Sequence, residues 1–370
     1  MATNALLERK HARAGWVTHS GFEDLLQLGR QNRPQLHDLE PVATTPLIAP
    51  EDRFGLGLRR GPGGVSIAEA DLDELSQLRR WVLENELEAI AVGFLHSTED
   101  GSDEELIRQL LEDLELPVIL SHQVAAEPRE WERFSTATAA AVLAPVMQGY
   151  LQKLAQGLGP AQLRVMDSAG SARPWSALAS EPVKTVLSGP AGGVVAAQQS
   201  GDGSVAITFD MGGTSTDVSL VGGDSRHFRQ RKTLVDGVPI AVPMIDIHTV
   251  GAGGGSISWI DAGGALRVGP HSAGADPGPA AYGRGGEDAT VTDAHVVLGR
   301  LPQDARLGEE TTIDVEASRQ ALLRLARQLD WSVEKIEESM ATFQDRISKA
   351  HQDNFQLARS WFSRARREYP

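Results

Sequence analysis

The chain has 370 residues, 35 Lys plus Arg against 50 Asp plus Glu, a formal net charge of -15 and no cysteine. That length holds two or three domains and a large core. The acidity argues against a phosphate-backbone binder, which needs a basic face. The lack of cysteine excludes a disulfide frame, a thiol nucleophile and a Cys-ligated zinc.

No apolar run approaches the ~18 residues of a membrane helix. Leu6-Leu7 is followed at once by Glu8-Arg9-Lys10, so no signal-like apolar core is seen. These features point to a cytoplasmic protein with neither a membrane nor a nucleic-acid partner.

In chain order, Thr3 or Asn4 caps a first short helix, and Ala14 to Thr18 reads as a strand. Phe22 to Gly29 reads as a short helix closed by glycine. Residues 30–66 are rich in proline, glycine and charge and read as connections. Leu72, Leu75, Leu78, Trp81, Val82 and Leu83 recur near the 3.6 period and predict a helix over 67–88. Ala89 to Leu95 is an unbroken apolar run, expected as a buried strand. Helix over 104–113 and strand over 117–122 follow, and the alternation argues for α/β layers.

His96 and His122 each end one of these strands. Adjacent parallel strands bring such residues together where ligands often bind. They are candidate ligands of a divalent metal, or two hydrogen-bonded strand-end histidines. Glu130 to Leu158 reads as one long helix with Pro145 inside it. Leu163 to Gly170 reads as a strand and a small-residue turn. Ser188-Gly189-Pro190-Ala191-Gly192-Gly193 reads as a turn opening a helix over 194–199. Free N–H groups there suit an anion, which makes Ser188 and Gly189 candidate nucleotide contacts.

The central stretch runs Val205 to Val221 around Asp210-Met211-Gly212-Gly213-Thr214-Ser215-Thr216-Asp217. Two β-branched runs flanking a Gly-Gly turn read as a hairpin. Gly212 and Gly213 carry no Cβ, so their amides can approach an anion closely. Thr214, Ser215 and Thr216 add hydroxyls. Asp210 and Asp217 flank the turn, and Asp210 can hold magnesium through water. The pattern suits a clamp on nucleotide phosphates. The plainer reading is a tight hairpin that needs glycine for its turn.

From Gly251 to Gly286 roughly a third of the residues are glycine, against ~7% on average. Gly253, Gly254 and Gly255 are candidates for close backbone approach to a nucleotide. Ser256 to Asp261 and Ala265 to Val268 read as a hairpin around Gly263-Gly264. Asp246, His248, Asp276, Asp293 and His295 are candidate cleft-lining groups, and Arg284 is the candidate for a phosphate or carboxylate. Helices are expected over 313–329 and from Ser332, the second carrying Ile336, Met340, Phe343 and Ile347 on one face and a basic end.

These motifs resemble the hydantoinase A/5-oxoprolinase family. The resemblance rests on Asp210 to Val218, on Leu187 to Gly193 and on Gly251 to Ile257. It extends to Val268 to Ala275, Pro277 to Ala280, Tyr282 to Gly286 and Val291 to Arg300, and runs from residue 2 to about 325.

It implies an incomplete actin/sugar-kinase-like (ribonuclease H-like) α/β ATPase fold, with mixed sheets flanked by helices. Three parts are implied: 1–128, the end of an N-terminal domain; 129–330, the domain with the phosphate hairpin; and 331–370, a divergent amphipathic helix.

The implied activity uses ATP and Mg to phosphorylate a small cyclic amide for ring opening, completed by a hydantoinase B-type companion subunit. Asp210 and Asp217 are the implied catalytic pair, with His96 and His122 similar to family positions for a further metal.

Two departures set the alternative. The family's Asn-Pro-x-His-Glu after the first histidine is here Glu99 to Glu104. Its first phosphate loop and its Gly-Gly-Ala-Gly adenosine turn fall outside this chain. The alternative is therefore a truncated, non-catalytic binding or scaffold subunit. A sugar-kinase-like enzyme shares the fold but not the flanking motifs.

Overall fold

The computed structural model describes residues 1–32, 45–159, 161–201, 203–222, 229–302, 304, 306–307 and 311–328. They fall into two compact units. The first takes 1–195 and 229–245, the second the described parts of 196–222 and 246–328.

The first unit is built on a parallel sheet of four strands, β1 (Ala14–His19), β2 (Arg53–Leu56), β3 (Ala89–Val92) and β4 (Val118–Leu120), in the order β2-β1-β3-β4. Every residue of β1 and β3 is buried, as expected for parallel strands covered on both faces. The two-residue alternation sorts their side chains. Ala14, Trp16, Ala89 and Ala91 join one core, Val17, Ile90 and Val92 the other.

The first core holds α1 (Ala2–Leu7) and α4 (Glu130–Leu158). From Glu132 to Ala144 every residue of α4 is buried. The run of alanines there lets the helix lie close to the sheet. Trp16 and Phe134 meet at 4.9 Å between ring centroids. A Cβ at Gly93 would sit 2.5 Å from Trp16 and 2.6 Å from Phe134, so that contact requires glycine.

The second core takes α2 (Leu72–Glu84) and α3 (Ser102–Leu110) through Leu75, Leu78, Val82 and Ile107. Asp71 caps α2 by accepting from Asp73 and Glu74 N–H. The helix therefore starts at Leu72, not at 67. Ser66–Ala68 pairs instead as a short strand.

The sheet strand β2 lies inside the stretch read as connections. Its charged and glycine residues, Arg53 and Gly55, hide it. Arg53 is nonetheless buried and donates to Asp24 and to the Ile48 carbonyl.

Helix α5 (Ser188–Ser200) corrects a second expectation. Leu187, at φ 57°, makes the reversal. Gly189, Gly192 and Gly193 therefore lie within the helix rather than in a turn before it. Ala191 and Val194 pack its buried side. Each interior glycine costs about 1 kcal/mol relative to alanine.

The second unit contains an antiparallel sheet of β5 (Ala206–Met211), β6 (Thr216–Val221) and β7 (Ile247–Val250), ordered β7-β6-β5. A hairpin of β8 (Ser256–Ile260) and β9 (Leu266–Ser272) follows. Helices α6 (Val291–Val297) and α7 (Val315–Arg327) pack through Val291, Ala294, Ala321, Leu322 and Leu325.

Asp293 ties this core together. It is fully buried and accepts from Ala281 N–H, Thr290 N–H and the hydroxyls of Thr290 and Ser318. It closes the capping box of α6 and does not line a cleft.

Candidate phosphate-binding site

The hairpin register places Asp210 opposite Asp217 and Met211 opposite Thr216, leaving Gly212 to Ser215 as the turn. Gly212 N–H closes it on the Ser215 carbonyl at 2.9 Å. The next glycine loop then grips the turn from one side. Gly254 N–H donates to Gly212 O at 3.1 Å, and Gly255 N–H to Gly213 O at 2.6 Å. A Cβ at Gly253 would lie 2.7 Å from Gly213 O and 2.8 Å from Gly212 O, so this approach requires glycine.

That grip decides where the turn's own amides point. In a trans peptide the C=O and the following N–H face opposite ways. With the carbonyls of Gly212 and Gly213 held by the glycine loop, the N–H groups of Gly213 and Thr214 point away from it. They bond to nothing among the described residues. Gly212, Gly213 and Thr214 are exposed and Ser215 is half-buried. The corner is exposed and leaves two backbone donors facing away from the glycine loop, with the hydroxyl residues Thr214 and Ser215 in the same turn, groups of the kind that bind an anion.

The bracing loop is held in turn. Thr292 donates its N–H and hydroxyl to Gly254 O at 2.7 and 2.8 Å. Gly253 N–H bonds Ser256 Oγ, and Ala273 N–H bonds Gly255 O. Gly253, Gly254 and Gly255 therefore spend their amides inside the protein. They shape the turn instead of facing a ligand. Thr216 is also committed, since it is buried and its hydroxyl donates to Ala252 O.

The two carboxylates share one face of the hairpin. Asp210 is exposed and Asp217 half-buried. Thr249, opposite Asp217 on β7, donates its hydroxyl to Asp217 Oδ1 at 2.6 Å. Burial pushes the Asp217 carboxyl up, the Thr249 bond opposes this, and the charge of Asp210 adds to the rise. A cation beside the pair would relieve both the burial and the repulsion. Oxygen donors of this type fit magnesium, which keeps waters and takes its remaining ligands from phosphates.

The family model for hydantoinase/oxoprolinase matches residues 133–354, and that for the hydantoinase/oxoprolinase N-terminal region matches 1–114. The chain belongs to the hydantoinase/oxoprolinase family. The alpha subunit of caprolactamase from Pseudomonas jessenii is 35% identical over 350 residues, covering 90% of this chain and 50% of that protein. The 5-oxoprolinase 1 of Arabidopsis thaliana is 37% identical over 361 residues, covering 89% and 28%.

Among solved structures, a nucleotide-free acetone carboxylase, from work on ATP-dependent acetone carboxylation, aligns with a TM-score of 0.76 at 27% identity over 90% of this chain and 50% of that one. The ATP-dependent caprolactamase of Pseudomonas jessenii gives 0.73 at 31% over 95% and 52%. The chain thus spans about half of these relatives or less. The α/β ATPase-type fold expected from the motifs is the one observed.

The other candidate residues of this hydantoinase/oxoprolinase chain are spread. Ser188 and Gly189 open α5 in the first unit. Arg284 is exposed between Gly283 and Gly285 and reaches the Ala275 carbonyl at 3.5 Å. His96, at φ 59°, lies beyond β3 with Nδ1 3.9 Å from Glu99.

His122 sits in the short helix Ser121–Val124, past the end of β4. Its Nδ1 meets Glu104 Oε2 at 2.7 Å, and its ring packs where Gly101 lacks a Cβ. Glu104 is fully buried and also accepts from Phe94 N–H, Ser121 Oγ and His122 N–H. No group of three or more His, Cys, Asp or Glu suited to a metal is found among the described residues. No described helix is long and apolar enough to cross a membrane.

Sequence reasoning missed Thr249, Ser256 and Thr292. Each acts through a strand register or loop crossing that no local pattern encodes.

Proposed function

We propose that this chain supplies the nucleotide phosphate clamp of a cytoplasmic, ATP-dependent enzyme that activates a small cyclic amide for ring opening. One observation carries it: the glycine loop holds both turn carbonyls, so the amides of Gly213 and Thr214 stand outward beside a paired Asp210 and Asp217. Phosphoryl transfer asks mainly for positioning and charge stabilisation. Gly213 and Thr214 N–H, with the Thr214 and Ser215 hydroxyls, hold phosphate oxygens. Asp210 would hold magnesium through water, with Asp217, held by Thr249, on the neighbouring strand behind it. Magnesium supplies the charge that neutralises the phosphates.

The amide oxygen attacks the terminal phosphorus, the bond to the bridging oxygen breaks, and ADP leaves. Water then opens the activated ring, releasing phosphate. A companion subunit performs that second step, as support from the relative named as a subunit suggests.

The test is ADP release by the chain with its companion subunit, with Mg-ATP and a panel of lactams and hydantoins. The reading predicts release that depends on one ring class and falls at least about a hundredfold in Asp210→Ala. Equal release with and without every ring compound contradicts it and favours a binding or scaffold subunit.

A further inference from the structure

In the first unit, Val92 at the end of β3 pairs with Leu120 at the end of β4. The segments 93–96 and 121–122 therefore leave the parallel sheet side by side, at the C-terminal edge where open α/β sheets bind ligands. One carboxylate fixes both. Glu104 of α3 is fully buried and accepts from Phe94 N–H at 3.0 Å, Ser121 Oγ at 2.6 Å, His122 N–H at 3.2 Å and His122 Nδ1 at 2.7 Å. Other buried side chains hold the segment after β3. The Thr18 hydroxyl donates to Gly93 O, Arg133 donates to Phe94 O, and Leu95 N–H donates to His19 Nε2. Backbone and imidazole are thus set in place by β1, α3 and α4, the preorganisation a binding site needs.

This network decides the tautomer of His122. Glu104 takes all these donors as a carboxylate, which accepts only. Nδ1 therefore carries the ring proton, and in the neutral imidazole Nε2 is left with its lone pair. That nitrogen bonds to nothing among the described residues, and the side chain keeps 20% of its surface exposed. Position 101 keeps it clear. A Cβ at Gly101 would stand 2.6 Å from both Cε1 and Nε2 of His122. Gly101 has φ -85°, a value open to any residue, so the backbone conformation does not require glycine here. The space over the ring does.

We propose that His122 Nε2 is the hydrogen-bond acceptor for the N–H of a small cyclic amide bound at this edge of the first unit. A lone pair selects a donor. It favours a ring that bears N–H over its N-methylated counterpart, which lacks the donor and sets a methyl group against the nitrogen. Sites built to bond a polar hydrogen reject the analogue without it. His122 is then a specificity-determining residue, and Glu104 positions it. That the donor belongs to a cyclic amide rests on the ring-opening reading above; the direction of the bond rests on Glu104.

The test is equilibrium binding to the full chain at about pH 8, without nucleotide. Butyrolactam, valerolactam and hydantoin are each set beside the fully N-methylated counterpart. NMR of nitrogen-labelled histidine follows His122 Nε2, assigned by its loss in His122→Asn, which keeps a donor for Glu104 but has no Nε2. The proposal predicts that at least one N–H ring binds about tenfold or more tightly than its methylated counterpart and alone moves the Nε2 resonance. It predicts that His122→Asn abolishes the preference and that Gly101→Ala, which crowds the nitrogen, weakens it. Equal binding of the two ring types, no binding of any ring, an unmoved Nε2 resonance or a preference that survives His122→Asn overturns it. Ring-dependent ADP release without an N–H preference removes this site and keeps the phosphate clamp. N–H-selective binding with ADP release indifferent to every ring does the opposite.

Discussion

Asp210 and Asp217 stand directly opposite each other across the β5–β6 pair. Like charges so placed destabilise a sheet by about 0.2–1 kcal/mol. We read the pair as a standing demand for a cation. Asp210→Asn should raise stability in urea by about that amount without magnesium, and millimolar magnesium with ATP should raise the Tm of the wild type only. An equal magnesium shift in Asp210→Asn would detach the cation from this pair.

The same pair sets a pH signature. The folded Asp217 carboxyl lies above its ordinary value, chiefly through burial. The folded state then binds more protons than the unfolded state between the two values, so stability falls as pH rises through them. The penalty is full above the folded value and vanishes below the unfolded one. Urea melts between pH 3.5 and 7 should show wild type losing stability relative to Asp217→Asn as pH rises.

The glycine brace is testable by adding one methyl group. A Cβ at Gly253 meets both turn carbonyls inside 3 Å. Gly253→Ala should cost about 1–3 kcal/mol in overpacking and weaken ATP binding, though residue 253 offers the ligand no donor. Gly263→Ala is the control: its Cβ would approach nothing nearer than Asp261 Oδ1 at 3.3 Å, and stability and affinity should stay near wild type.

In the first unit His19 provides a sharp pH probe. It is buried, its Nδ1 lies 2.7 Å from Leu58 O, and its Nε2 accepts from Leu95 N–H at 3.0 Å. Those partners fix the neutral tautomer with the proton on Nδ1. Burial, and then the charge of Arg59, pull its pKa down against the Leu58 bond. A depressed histidine stabilises the fold above its unfolded value, near 6.5, and that contribution is lost as pH falls toward the folded value. Thermal melts from pH 7.5 to 5 should show a decline that His19→Asn flattens.

Glu104 is the buried charge whose loss should hurt most in this unit. Burial pushes its carboxyl up, but bonds from His122, Ser121, Ser97 and Phe94 N–H hold it below the usual range. Glu104→Ala strands those donors and should cost about 3 kcal/mol or more. Urea denaturation at pH 7 checks this.

Much of the frame was legible in the sequence, for identifiable reasons. The bounds of α4 follow from its periodic apolar run and the Gly157 to Pro160 stop, and the structure closes it at Leu158. The hairpin of β5 and β6 was written in β-branched runs around Gly212-Gly213. The strand β2 was not, because its partner β1 is contributed from over thirty residues away, and Arg53 is buried only through Asp24 and Ile48. At the site, glycine content alone could not separate the turn that faces outward from the loop that grips it. That distinction lies in the hydrogen bonds of Gly254 and Gly255, set by a fold that crosses some forty residues. The expected helix from Ser332 lies outside the described residues.

The most direct measurement is titration calorimetry of Mg-ATP into the full chain, set beside Asp210→Ala and Gly213→Val. The account predicts one saturable heat for the wild type that needs magnesium, drops at least about tenfold in affinity without the Asp210 carboxylate, and vanishes when a side chain fills the outward turn. The same heat from all three proteins would contradict it.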